Sequence, residues 1–143
     1  MKKFLPKSIN NPQGFTLVEL LVVVSIIAIL SVIGITLFGT AQKNARDARR
    51  RVDIDAIATA LEAAYKSTDT KPYPAVTDSL FASGKVPTDP QGGTGYTLTG
   101  TLPGITYIYC ATLENASGNA TKADGTGIGS VTTGGFYCRQ NQQ

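Results

Sequence analysis

The sequence predicts an α+β fold. A long N-terminal helical spine, transmembrane in its first half, carries a small antiparallel sheet of about three to four strands on its C-terminal half. Three observations predict it. Residues 15–38 form 24 consecutive positions with a single charge, Glu19. An amphipathic repeat follows, and no proline occurs from residue 13 to residue 71. Beyond Lys71-Pro72-Tyr73-Pro74, short runs rich in Tyr, Thr and Ile alternate with turn signals.

The first fourteen residues, MKKFLPKSINNPQG, are basic and end in Gly14. They read as a cytoplasmic leader rather than as part of the fold. Residues 15–38 would span roughly 36 Å as a helix, enough to cross a hydrocarbon core. Their β-branched residues weaken a helix in water. Lipid restores it, because every backbone group there must be satisfied internally. From Ala41 to about Ser67, Ile54, Ile57, Ala58, Leu61 and Tyr65 mark one helical stripe, with Arg49, Arg50, Asp53 and Glu62 mostly off it. One helix from Phe15 to about Ser67 would be roughly 80 Å long, more than a domain of this size can bury, and therefore points to assembly.

The Pro72/Pro74 pair stops the helix. Strands are expected at Tyr96–Thr101 and Ile105–Leu113, with Leu102-Pro103-Gly104 as the turn between them, and a last strand at Phe136–Arg139. Asn115–Gly135, rich in Gly, Thr and Ala, reads as a long loop. The domain organisation is thus a leader (1–14), a transmembrane helix (15–38) and a domain outside the membrane (39–143).

Charge and cysteine usage narrow the function. The net charge of +3 comes from Lys2, Lys3 and Lys7, and past residue 14 ten basic residues face ten acidic ones. The chain therefore has no global basic field for nucleic acid or anionic lipid. With no His, the commonest general base and metal ligand is missing, and the acids fall at no dyad spacing. The expectation is a non-enzyme without cofactors. If the polar half is exported, Cys110 and Cys138 pair. Closing their 27 intervening residues would stabilise the fold by about 3–4 kcal/mol. The alternative is two buried thiols in a reduced compartment.

The motif Gly14-Phe15-Thr16-Leu17-Val18-Glu19 carries most information. Gly14 leaves the backbone unhindered for a peptidase, and the leader lysines hold the N-terminus in the cytoplasm. A carboxylate one turn into a membrane helix costs on the order of 2.5–3.5 kcal/mol, so Glu19 needs a partner. The amino group created at Phe15 of a neighbouring subunit fits, and such a pair fixes register more than it adds stability.

The run GFTLVELLVVVSIIAIL resembles the N-terminus of type IV pilins and type II secretion pseudopilins. The resemblance, tight over residues 12–30, implies cleavage after Gly14 by a membrane aspartic prepilin peptidase and N-methylation of Phe15. It also implies Glu19 as the assembly carboxylate. The partners it implies are copies of the chain, other pilin subunits, an inner-membrane assembly platform and the bilayer. The implied location is the inner membrane, single-pass with the N-terminus in the cytoplasm, then a filament. Two departures stand out. No proline interrupts the membrane stretch, and Gly34 and Gly39 take its place as soft points. Val86–Tyr96 resembles the Asp-Pro-aromatic-Gly…Tyr turn of major pseudopilins, but its aromatic position is Gln91. Those pseudopilins bind calcium in the C-terminal loop. Here Asp124 is a single carboxylate, short of a calcium cage, and a glycine-rich loop is the plainer reading.

Arg46, Arg49, Arg50 and Arg51, with Lys43, form the one strong basic cluster. It reads either as a DNA contact during uptake or as a solvated face pairing with Asp47, Asp53 and Asp55 of this or the next subunit, the latter preferred. The cluster opposes the proposed orientation, since positive charge favours the inside. Tyr73, Tyr96, Tyr107, Tyr109 and Tyr137 read as packing residues more than as an adhesive surface, with Tyr107 and Tyr109 on one strand face. Asn115-Ala116-Ser117 and Asn119-Ala120-Thr121 match the glycosylation pattern by chance composition. Two rivals remain. One is a secreted binding domain cut between Ala41 and Gln42, the other an uncleaved membrane anchor. The long apolar stretch counts against the first, and an unpartnered Glu19 against the second.

Overall fold

The computed structural model describes residues 14–92 and 96–143. The leader lysines lie outside the described residues. The chain divides into two compact units, the first ending at Phe38 and the second comprising Gly39–Gln143. Helix α1 runs Leu17–Ala63.

In the first unit every residue from Gly14 to Phe38 is exposed, and the most apolar window of α1 reaches a mean hydropathy of 3.0. By length and composition this helix can cross a membrane. Its hydroxyls suit that solvent. Ser25 Oγ donates to the Val22 carbonyl at 2.7 Å, Ser31 Oγ to Ile27 at 2.7 Å and Thr36 Oγ1 to Ile33 at 2.9 Å. Each polar side chain in the run thus finds its partner within its own helix, where lipid offers none. The helix passes through Gly34 and Gly39 without a break.

In the second unit α1 ends at Ala63, earlier than the proline signal alone predicts. Tyr65 N–H has already slipped to the Glu62 carbonyl, and Lys66 N–H donates to Pro72 O at 3.1 Å. The returning chain captures the amide that a further helical turn would need. Three strands follow: β1 (Thr97–Thr99), β2 (Ile108–Thr112) and β3 (Phe136–Gln140), in the order β1-β2-β3 and antiparallel throughout. β1 is shorter than expected because Gly100, at φ 107°, turns the chain away. β2 starts late because Tyr73 and Gly104 pair with each other upstream of it.

The predicted stripe is the core face. Ile54, Ile57, Ala58 and Leu61 are buried, and the last three pack with Tyr73 and Tyr107. The rings of Tyr73 and Tyr107 meet edge to face at 5.0 Å, a favoured aromatic geometry. Tyr73 and Tyr107 both donate to the Glu62 carboxylate. Burial, and then that carboxylate, push the Tyr107 hydroxyl above its ordinary range. The tyrosines therefore serve packing first. The stripe reading needs one correction. Arg50 and Asp53, expected mostly off it, are buried together with Asp47. Stepping back from Ile54 by four and then three residues reaches Arg50 and Asp47, so the buried face continues through charged positions that hydrophobic periodicity does not register.

The Asn115–Gly135 loop is held more closely than its composition suggests. Residues 118–120 run antiparallel to 134–136 through the Gly118–Gly134 and Ala120–Phe136 bridges. A Cβ on Gly118 would sit 1.9 Å from Phe136 O, and one on Gly134 would sit 2.0 Å from Ala120 O, so only glycine permits this crossing. Cys110 and Cys138, directly opposed in the β2/β3 register, form a disulfide within a cluster that includes Ala120. Asn119 covers the outer edge of β3, its amide donating to Cys138 O at 2.9 Å and accepting from Cys138 N at 2.8 Å. That side chain blocks the edge that a foreign strand would otherwise extend. Replacing Asn119 with Ala is expected to destabilise the unit by about 1–3 kcal/mol, since Cys138 loses both partners. Chemical denaturation of the detergent-solubilised chain measures this, and an unchanged midpoint would refute the role.

Candidate functional site: the helix start and the arginine cluster

Gly14, Phe15 and Thr16 precede the helix in non-helical conformation, and Phe15 is 90% exposed. Gly14 is exposed, and a Cβ added to it would meet nothing within 4 Å. Thr16 is the residue that starts α1. Its carbonyl accepts the first helical bond, from Leu20 N at 3.2 Å, and its Oγ1 accepts from Glu19 N at 3.2 Å. In return the Glu19 carboxylate accepts from Thr16 N at 2.9 Å and Thr16 Oγ1 at 2.8 Å. This reciprocal pair is a capping box, which satisfies two of the amides that a helix start leaves open. Sequence reasoning gave Glu19 no partner in its own chain. The Thr-x-x-Glu spacing ahead of an apolar run was the signal that would have found one.

The arginines that follow are mostly committed within the second unit. Arg46 forms a two-pronged pair with Glu114, both contacts at 2.6 Å. Arg50 reaches three segments. Its Nε donates to Asp89 at 2.7 Å, Nη2 to Gln91 Oε1 at 2.7 Å, and Nη1 to Asp47 and Glu114, each at 3.1 Å. Gln91, standing where the resemblance places an aromatic residue, thus makes a polar contact that an aromatic ring could not supply. Asp47 also accepts from the backbone amides of Glu114 and Asn115, each at 2.9 Å. Arg51 donates to Ser117 O at 2.8 Å and lies over the Tyr137 ring. Only Arg49 remains largely in water, with a 68% exposed side chain paired to Asp53 at 3.1 Å. The expected pairings with Asp47 and Asp53 form within the chain, but the face is not solvated as expected, since Arg50, Asp47 and Asp53 are buried beneath the returning loops. Asp55 instead takes Arg139, at 2.6 Å.

The Arg46 guanidinium holds the Glu114 carboxyl at about 2, and Arg50 lowers that of Asp89. A carboxylate with a depressed folded-state pKa contributes stability above its unfolded value, near 4.5, and loses it as pH falls through the folded value. Acid unfolding, followed by circular dichroism, should therefore steepen as pH falls from about 4.5 towards 2. Glu114→Gln should flatten that stretch. A profile unchanged by the substitution would mean that this pair does not control it.

A family model described as a prokaryotic N-terminal methylation motif matches residues 9–35. The match takes in Gly14, Phe15, the capping box and most of the apolar stretch. This chain carries the prepilin-type signature. It is the mark of type IV pilin and pseudopilin precursors. No curated protein and no solved structure matches the chain.

The prepilin-type signature points to a structural protein rather than to an enzyme. Outside it, the remaining candidates are engaged by other groups of the fold. Asp124 accepts from Thr126 N at 2.8 Å and from Thr126 Oγ1, and those bonds lower its pKa. Among the described residues no group of three or more metal-ligating side chains converges on one point. Both candidate glycosylation amides are occupied, Asn119 by Cys138 O and Asn115 by Asn44 and Asp47.

Proposed function

We propose that this chain is a structural subunit of a type IV pilus or a type II secretion pseudopilus, cut after Gly14 by a prepilin peptidase, methylated at Phe15 and polymerised through its N-terminal helix. The observation that carries the reading is the head of α1. An open Gly14-Phe15-Thr16 segment leads into a capping box, and that box heads a helix whose hydroxyls within the apolar stretch, Ser25, Ser31 and Thr36, are internally bonded. The peptidase meets an exposed bond outside the helix there. The same helix then offers an apolar surface to the bilayer and to copies of itself and other pilin subunits. In the lone subunit Thr16 satisfies the Glu19 carboxylate, and in the filament the Phe15 ammonium of a neighbour takes it up. In this reading the leader is 1–14, the membrane helix 15–38, and residues 39–143 lie outside, facing the periplasm or the cell surface. An inner-membrane assembly platform drives the extraction. The committed arginines speak against the cluster as a phosphate-binding surface.

Intact mass and N-terminal sequencing of the membrane-extracted chain test the first step, with a methylated Phe15 terminus expected. A chain starting at Gln42 would mean a secreted domain, and one starting at Met1 an uncleaved anchor, and either result overturns the proposal. Glu19→Ala should retain membrane insertion and lose assembly, read by shearing and sedimentation of filaments. Normal filaments from that variant would remove the assembly role of Glu19.

A further inference from the structure

Two clefts of opposite charge lie in the second unit, on either side of one exposed apolar side chain of α1. The first, about 370 Å³, has Arg49 and Lys85 in its lining and no acid. Arg49 reaches Asp53 through Nε and stays 68% exposed, and Lys85 forms no ion pair among the described residues. The second, about 230 Å³, is lined by Asp55, Glu62 and Arg139, with Thr59 between the two acids. Each helical residue turns by about 100°, so Val52, three residues from both Arg49 and Asp55, stands between them, about 60° from each. Val52 is 63% exposed. Glu62, seven residues beyond Asp55, falls on the Asp55 side. The clefts also differ in height. Arg49 precedes Asp55 by six residues and Glu62 by thirteen, roughly 9–20 Å along the axis. Two parallel copies at equal height cannot bring the clefts together, whereas a copy shifted by that amount can.

We propose that this face docks a second copy of the chain, parallel and shifted along α1, with the Arg49/Lys85 cleft of one copy against the Asp55/Glu62 cleft of the next. The inference rests on the membrane-anchored filament reading given above, which makes neighbouring helices parallel. Each copy leaves one cleft open, so the contact is heterologous and repeats instead of closing into a pair. Exposed ion pairs add little affinity, and their part here is to fix orientation and register. Burial of Val52 between the clefts supplies the apolar share.

The test substitutes two exposed positions, Lys85 in the cationic cleft and Thr59 in the acidic one. The Thr59 hydroxyl donates to the Asp55 carbonyl of its own helix, so neither change removes a contact between elements. Lys85→Glu and Thr59→Lys should each lower the yield of sheared filaments several-fold, and the two in one chain should restore it. In membranes treated with a short bis-maleimide, the full chain carrying Lys85→Cys/Thr59→Cys should give a ladder of multimers. Each single cysteine variant should stay monomeric, since the native cysteines are bonded and do not react. Parent-like filament yield from both charge variants, a double variant no better than the singles, or the absence of a ladder would overturn the docking surface. Dimers from a single cysteine variant would indicate a closed pair and overturn it as well. A ladder from a chain whose parent forms no filaments would uphold the surface and refute the filament role instead.

Discussion

Replacing Arg50 with methionine is expected to destabilise the second unit by about 3–5 kcal/mol, the usual consequence of removing one member of a buried ion pair. The side chain of Arg50 is 6% exposed and that of Asp47 5%. Methionine fills much of the volume but leaves Asp47, Asp89 and Glu114 facing one another without the cation between them. The loss should be larger than for Arg49→Met, whose guanidinium is mostly solvated and whose pair has the modest value typical of surface ion pairs, about 0–1 kcal/mol. Urea unfolding of the detergent-solubilised chain, followed by far-ultraviolet circular dichroism, gives both numbers. Similar small losses for both variants would mean that water takes over the role of the Arg50 guanidinium, and the network would then be dispensable. Combining Arg50→Met with Asp47→Asn should recover part of the loss, since the second change removes the buried charge that the first leaves unpaired.

Removing the disulfide by Cys110→Ala/Cys138→Ala is expected to cost about 3–4 kcal/mol. The effect acts mainly on the unfolded chain, whose closed loop of 27 residues is released. Alanine avoids placing a hydroxyl beside Ala120, Ile108, Ile128 and Phe136, which pack around the two sulfurs. The β2/β3 ladder and the Gly118–Gly134 and Ala120–Phe136 bridges should survive in the variant, so its native circular dichroism spectrum should match that of the parent. A variant with the parent midpoint would show that these ladders alone hold the loop. A variant with lost strand signal would show that the bond is needed to form them.

What could be read along the chain was local in origin. The apolar run and its length mark a helix able to cross a membrane, and the motif at its head is the prepilin-type signature, because both depend on neighbours within a few residues. The Ile54–Leu61 stripe followed from helical periodicity in the same way, and the strand positions followed from turn residues between β-rich runs. Even the capping box was present in the Thr16–Glu19 spacing, although the carboxylate read first as a group seeking a partner in another subunit.

The arginine cluster marks the other limit. Its spacing admitted a DNA surface or a solvated face, and the nearby Asp47, Asp53 and Asp55 favoured the second without showing which groups the arginines would reach. The tertiary structure decided, by bringing Asp89, Gln91, Glu114 and Ser117 onto the helix from 39 to 68 residues away. It likewise made Asn119, whose glycosylation pattern read as chance, the guard of a strand edge, and made Gly118 and Gly134 obligatory where two backbones cross. The physical reason is common to all three. A side chain's local spacing determines the face on which it lies, but its partner is whatever group the folded chain leaves within about 3 Å, and distant segments reach that range only when the core beneath them has closed.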